Sequence, residues 1–348
     1  MRFSNFLFPA SMDPNDDQRI IQETLAEARL CDALGLEMLW LAEHHFDGIC
    51  AYVDPVAFAA ALAACTERIH IGFAVAQMSL HHPIRMAEQM ALIDNISKGR
   101  LLVGLGRGTA YNIYDYQGYG IDPDEAHDRL IEAEEIMVKA WTTEDYRHAG
   151  KFWTLRLPLL RPRPFTEPHP RLIRACATEE ATLEMARAGR PFLMNVQSNA
   201  VTRHRMDAYR RTMRESGHDE ALIAKNVGET WVWRNIFVAE TDAEAERIAR
   251  PAWEAQAEFR QAMRRRVYEE QGLLLRPEVA PAARNDAQHS LICGSPTRVA
   301  EAIAEIDAIG VGGLILAFRM GPMPYDEAAQ SIRLFMQKVA PQFRGAPA

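Results

Sequence analysis

Two pairs of adjacent histidines are the residues best suited to do chemistry: His44-His45, which follow Glu43, and His81-His82. An imidazole changes charge near physiological pH, so a histidine at the rim of a site can act as an acid or a base. Tandem histidines also raise the question of a metal. Neighbours on an extended strand, however, point to opposite sides and cannot easily chelate one ion. No HExxH or HxH spacing accompanies them, and no metal is expected. One member of the His44-His45 pair then reads as a hydrogen-bonded packing residue and the other as an acid/base candidate.

A second stretch, Gly104-Leu105-Gly106-Arg107-Gly108-Thr109, resembles the start of a dinucleotide fingerprint. Its third glycine comes one residue too early for GxGxxG, and the run lies about a hundred residues into the chain rather than after a first strand. Alternating glycines at a strand end would let a flat ring lie against bare backbone, with Arg107 available for a phosphate. The plainer reading is a turn carrying a surface arginine.

The elements that must position these residues follow an alternating pattern. Short β-rich runs fall at Phe3–Phe8, Met38–Leu41, Ile69–Ala76, Leu101–Leu105, Leu172–Ala175, Pro191–Asn195, Glu229–Val238 and Gly313–Phe318. Amphipathic stretches at helical period separate them. Eight strands, each with a helical partner, favour a closed (β/α)8 TIM barrel in a single domain. The C-terminal strand ends are then where chemistry should lie, and both histidine pairs and the glycine run fall there. Each βα unit averages about 43 residues against roughly 31 in a typical barrel. The surplus is assigned to an insertion at about 146–170, to a long helix at Asp242–Val267 with a mobile loop at about 268–290, and to the C-terminal helix. Arg260, Arg264, Arg265 and Arg266 fall at helical spacing beside that loop and read mainly as a solvated face.

Composition narrows the function classes. The 348 residues carry a net charge of −8, with 48% hydrophobic and 25% charged residues, as in a globular protein with a sizeable core. The acidic balance argues against a general nucleic-acid surface, which is built from clustered Lys and Arg. No apolar run approaches the ~20 residues that span a bilayer. The N-terminus lacks the apolar core of a signal peptide, so a cytoplasmic location is the expectation. Five widely spaced cysteines read as free thiols.

Taken together and in order, Trp40-Leu41-Ala42-Glu43-His44-His45-Phe46, His82-Pro83-Ile84-Arg85-Met86-Ala87-Glu88, Ser97-Lys98-Gly99-Arg100 and Gly104-Leu105-Gly106-Arg107-Gly108 resemble the bacterial luciferase-like flavin monooxygenase family. The resemblance implies a barrel that takes reduced FMN from a separate flavin reductase, reacts it with O2 to a C4a-peroxyflavin and oxygenates a small organic substrate. By position it implies His44 as the catalytic histidine, with Glu43 and His45 supporting it. The implied cofactor-binding residues are Ala74 and Val75, where the family often has a non-prolyl cis peptide beneath the flavin ring, with Gly106, Arg107, Thr109, Arg129, Ala177 and Thr178. Arg107 and Thr178 would meet the phosphate.

The resemblance further implies a homodimer. Gly106 departs from the light-emitting luciferases, whose catalytic subunit has a reactive cysteine there, so neither light emission nor a long-chain aldehyde substrate is expected. Tyr111, Tyr114, Tyr116 and Tyr119 would either wall a substrate pocket or pack their own loop. A deazaflavin- or flavin-dependent hydride transfer on the same barrel, or a non-catalytic flavin-binding relative, stands as the alternative.

Overall fold

A computed structural model describes residues 1–46, 48–108, 113–272 and 286–343, with the side chain of Arg264 left out. Eight parallel strands close into a barrel: β1 (Arg2–Leu7), β2 (Met38–Leu41), β3 (His70–Phe73), β4 (Leu101–Gly106), β5 (Arg171–Cys176), β6 (Phe192–Met194), β7 (Trp231–Val238) and β8 (Gly313–Ala317). Neighbours in sequence pair in turn, and β8 closes the ring on β1 with Gly313 opposite Arg2. Strands such as β2 are buried along their whole length, which is why they read as unbroken apolar runs: helices cover their outer faces and the packed lumen their inner ones.

The lower lumen is filled by Met38, Trp40, Leu102, Ile173, Leu193, Trp231 and Ile315. Trp40 and Trp231 meet edge to face with ring centroids 5.4 Å apart. Above this plug, Phe6, Phe8, His44, Ala74, Val75 and Trp233 are only half-buried. The barrel is therefore a closed core below and an open mouth above, at the C-terminal strand ends.

Three features depart from the sequence expectation. The third strand is shorter than Ile69–Ala76: β3 stops at Phe73, a cis peptide joins Ala74 to Val75, and Ala76–Gln77 resumes alone against the end of β4. A further strand, Leu291–Gly294, extends the sheet by pairing with the far half of β7. Short helices at Ile113–Tyr119 and Glu220–Gly228 were not anticipated. The stretch at 146–170 begins as a two-stranded antiparallel hairpin, Tyr146–Ala149 with Thr154–Leu157. Most of the expected loop at 268–290 lies outside the described residues, but both its ends are helical, the long helix running to Glu270 and a short turn occupying Ala287–Ser290.

That long helix, Asp242–Glu270, has 29 residues and so spans about 43 Å. It starts beyond β7, and Gly321 after β8 sits against Ala252 and Gln256 in its middle. At its far end Glu270 accepts a hydrogen bond from Tyr114, and Gln117 donates to Gln271 just beyond it at 3.4 Å. Tyr114 and Gln117 belong to the helix that follows β4, three strands from β7, so the long helix crosses above the mouth. Arg266 in its last turn pairs with Glu270 at 2.7 Å.

Candidate active site

Glu43, just past β2, is buried and gathers three hydrogen bonds. Its Oε1 lies 2.8 Å from His45 Nε2 and 2.7 Å from His81 Nε2, and its Oε2 accepts from the Gln77 backbone N–H at 2.6 Å. Gln77 in turn donates through Nε2 to the Glu43 carbonyl at 3.0 Å and to Asp115 Oδ2 at 2.7 Å. Asp115 Oδ1 accepts the His45 backbone N–H at 3.1 Å, and the Tyr119 hydroxyl lies 3.3 Å from His45 Nδ1. The carboxylate thus ties the segments after β2 and β3 together, and the helix after β4 joins them through Gln77 and His45.

The electrostatics follow from this geometry. Burial alone would raise the Glu43 carboxyl, but hydrogen bonds from His45, His81 and the Gln77 N–H reverse the effect and hold it at about 2. For His45, burial opposes the imidazolium, yet the hydrogen bond to Glu43 and the charges of Glu43, Asp115 and Asp54 raise it above the ordinary value. Glu43 is therefore a fixed anion, and His45 keeps a proton more readily than a free histidine.

His44 points the other way, as alternation along an extended chain requires. Its ring meets Phe8 edge on at 5.0 Å, Phe8 stacks on Phe6 at 5.8 Å, and Phe6 meets Trp233 at 5.6 Å. The Trp233 Nε1–H is buried with no acceptor among the described residues. The mouth thus presents one imidazole, an aromatic wall and a waiting donor.

The glycine run at the end of β4 has a local explanation. A Cβ on Gly104 would lie 1.6 Å from the Phe73 carbonyl oxygen, and one on Gly106 would lie 2.4 Å from Val75 Cγ2. Close approach of the β3 segment already requires glycine at both, apart from any ring that rests there. Arg107 is exposed, and its backbone carbonyl accepts from Ser79 Oγ at 2.9 Å and from Tyr116. Because β4 pairs with β5, Leu105 lying opposite Arg174, Arg107 and the pair Ala177-Thr178 follow the C-terminal ends of neighbouring strands. Both of these are exposed; Ala177 offers its carbonyl to Arg205 at 3.0 Å, and Thr178 Oγ1 caps the helix Glu179–Arg187 by accepting from the Ala181 N–H at 3.2 Å.

Arg129 sits elsewhere in the network of contacts: Glu125 holds it at 2.9 Å and it lies over the rings of Phe152 and Trp153 in the hairpin. Thr109 lies outside the described residues. His82 is exposed and caps the helix Pro83–Ser97 through its ring nitrogen. No cluster of three or more His, Cys, Asp or Glu placed to hold a metal occurs among the described residues.

Sequence reasoning missed Gln77, His81 as a partner of Glu43, Asp115 and Trp233. The two-residue step from Glu43 to His45 was the available signal, since it puts both on one side of an extended chain. The others reach the site from distant segments.

Fold and site together define a parallel eight-stranded barrel with an acid/base network and an aromatic pocket at its C-terminal mouth. The sequence profile of the luciferase-like monooxygenase family matches residues 1–312, and the chain belongs to that family. Limonene 1,2-monooxygenase of Rhodococcus erythropolis is 30% identical over 164 residues, 47% of this chain and 42% of that protein. The oxygenase component of a flavin-dependent trigonelline monooxygenase from Acinetobacter baylyi is 30% identical over 171 residues, 49% of this chain and 47% of its own. The matched stretches span about half the length of these relatives.

Among solved structures, a monooxygenase from Streptomyces bottropensis superposes with a TM-score of 0.82 at 27% identity, covering 99% of this chain and 100% of its own. The oxygenating constituent of 3,6-diketocamphane monooxygenase from Pseudomonas putida, in complex with FMN, shares the fold at 20% identity, with a TM-score of 0.78 and coverage of 100% and 99%. An F420-dependent secondary alcohol dehydrogenase shares it at 16%, with a TM-score of 0.75 and coverage of 99% of each chain. No helix among the described residues is long and apolar enough to cross a membrane.

Proposed function

We propose that the chain is the oxygenase component of a two-component flavin-dependent monooxygenase, acting on a small, largely apolar organic substrate. The observation that carries this reading is the mouth itself: His44 on an aromatic wall of Phe8, Phe6 and Trp233, backed by the ionised Glu43 between His45 and His81. Reduced FMN, bound there, would supply two electrons to O2, so that one oxygen atom enters the substrate and the other leaves as water.

The residues present fit such a cofactor. Arg107 has no carboxylate partner among the described residues and follows the strand next to the one that leads to the helix start at Thr178, where N–H groups suit a phosphate. The unpaired Trp233 N–H suits a ligand with an acceptor. The half-buried backbone at Ala74-Val75 would form one face of the ring pocket.

The chain's own residues have three tasks in this reading. Arg107 and Thr178 hold the phosphate, the aromatic wall excludes water, and His44 gives and takes protons at the reacting edge. Glu43 fixes His45 and, through the backbone they share, the direction of the His44 ring. The relative named as an oxygenase component supports supply of reduced flavin by a separate reductase.

The test is to mix anaerobic protein carrying reduced FMN with O2 and follow absorbance. A transient spectrum distinct from reduced and oxidised FMN is expected in the wild type and should be lost or shortened in His44→Ala. No transient in either protein refutes the reading, and tighter binding of reduced deazaflavin than of reduced FMN would turn it toward hydride transfer.

A further inference from the structure

The outer face of β7 holds a buried charge, Arg234, with no ion-pair partner among the described residues. Arg234 alternates with Trp233, which faces the lumen, so it points outward into the layer of helices, where it is 2% exposed. Its Nη1 donates to the Trp233 carbonyl at 2.8 Å and its Nη2 to Asn199 Oδ1 at 3.1 Å, both neutral acceptors. No carboxylate among the described residues forms an ion pair with it. Burial, with no acidic group opposing it, lowers its pKa to about 10. A buried cation of this kind is costly unless something else supplies the negative charge.

Arg234 also lines a cavity of about 470 Å³, separate from the barrel mouth. Arg298 and His289 stand on its walls, and the first residues of the 17-residue helix Asn199–Glu215 open onto it. Leu291 and Ile306 make part of the wall apolar. One carboxylate is present: exposed Glu305, whose Oε2 accepts from Asn199 Nδ2 at 3.2 Å. Arg298 has the charges of Asp242 and Glu246 near it, whereas the one carboxylate on the cavity wall, Glu305, bonds the asparagine and not Arg234. The cavity is far larger than an inorganic ion needs, so charge and wall together describe an anionic head on a compact apolar body.

We propose that this cavity is a second ligand site, which binds a small amphipathic oxyanion, a carboxylate or phosphate ester, with Arg234 as its anchor. The site is distinct from the place given to the FMN phosphate, since Arg107 follows β4 and Arg234 lies on β7. It stands whether or not the monooxygenase reading holds.

Titration calorimetry of the full flavin-free chain with inorganic phosphate, benzoate and phenyl phosphate tests the site. Saturable binding is expected for at least one aromatic anion and weaker binding for inorganic phosphate, with the better of benzoate and phenyl phosphate naming the head group. Arg234→Gln should weaken that binding about tenfold or more, and Arg107→Ala should leave it unchanged. Ala302→Phe, which narrows the cavity from a helix surface, gives a second reading if Arg234→Gln does not fold. The proposal is overturned if none of the three anions binds. It is equally overturned if binding survives both cavity variants, or if Arg107→Ala abolishes it.

Discussion

Replacing Glu43 by glutamine removes one charge and almost no volume from the centre of the histidine network. The carboxyl is held at about 2 instead of the ordinary 4.5, which corresponds to a preference for the charged form of about 3 kcal/mol. Glutamine cannot restore the pattern. With its oxygen toward His45 and His81, its NH2 faces the Gln77 N–H; flipped, it presents donors to both imidazoles. The first arrangement leaves the Gln77 N–H without its acceptor and the second requires both histidines to be neutral with Nε2 as acceptor, so either way the ionic hydrogen bonds are lost and a stability loss of about 2–4 kcal/mol near neutral pH is expected.

The pH dependence carries a sign that a generic core defect would lack. A lowered carboxyl pKa contributes stability that is whole above about pH 4.5 and lost as the pH falls toward about 2. The raised His45 pKa contributes stability that is whole below about 6.5 and lost as the pH rises through the raised value. The gap between wild type and Glu43→Gln should therefore be widest between about pH 4.5 and 6.5, close toward acid, and narrow toward alkali only by the share His45 contributes. Urea denaturation across that range measures it, and NMR titration of His45 should show its pKa dropping in the variant, where only the charges of Asp115 and Asp54 still oppose burial. A gap independent of pH, or a His45 pKa unchanged by the substitution, would refute the reasoning.

Other consequences can be checked with equal economy. Gly106→Ala should cost about 1–3 kcal/mol because its Cβ would crowd Val75, and Val75→Ala in the same chain should recover part of the loss; strictly additive losses would rule out the contact. Asp32 accepts the N–H groups of Glu67, Arg68 and Ile69, which hold its carboxyl below the usual range despite burial. Asp32→Asn should lower stability at neutral pH by about 1–3 kcal/mol, a difference that shrinks as acid protonates the wild-type group; a constant difference would contradict the assignment. Trp233→Phe should leave ligand-free stability unchanged or raise it by up to about 1 kcal/mol, since it deletes a buried donor without an acceptor. A clear loss in thermal denaturation would mean that the N–H is already satisfied.

The barrel was legible because its strands are buried on both faces and its helices on one, which writes two different periods into the chain. What those periods encode is burial, not pairing. The run from Ile69 to Ala76 is apolar but for His70, yet the ladder to β2 ends at Phe73 and Ala76 pairs with β4. Leu291–Gly294 escaped notice because four residues are too few to display a period. In the site, Glu43 and His45 were readable as partners from their spacing, whereas His81 and Asp115 are joined to them across 38 and 70 residues. The alternating glycines were read as room for a flat ring against bare backbone, whereas the close approach that the structure shows at Gly104 and Gly106 comes from Phe73 and Val75 of the chain itself.

The long helix lying from β7 to the helix after β4 ties together two distant parts of the barrel's rim. On the proposed reading, a flavin and its substrate would both have to pass beneath that span to reach the histidines. Loosening the Tyr114 to Glu270 keystone would then alter how fast molecules come and go while leaving the histidines below it untouched.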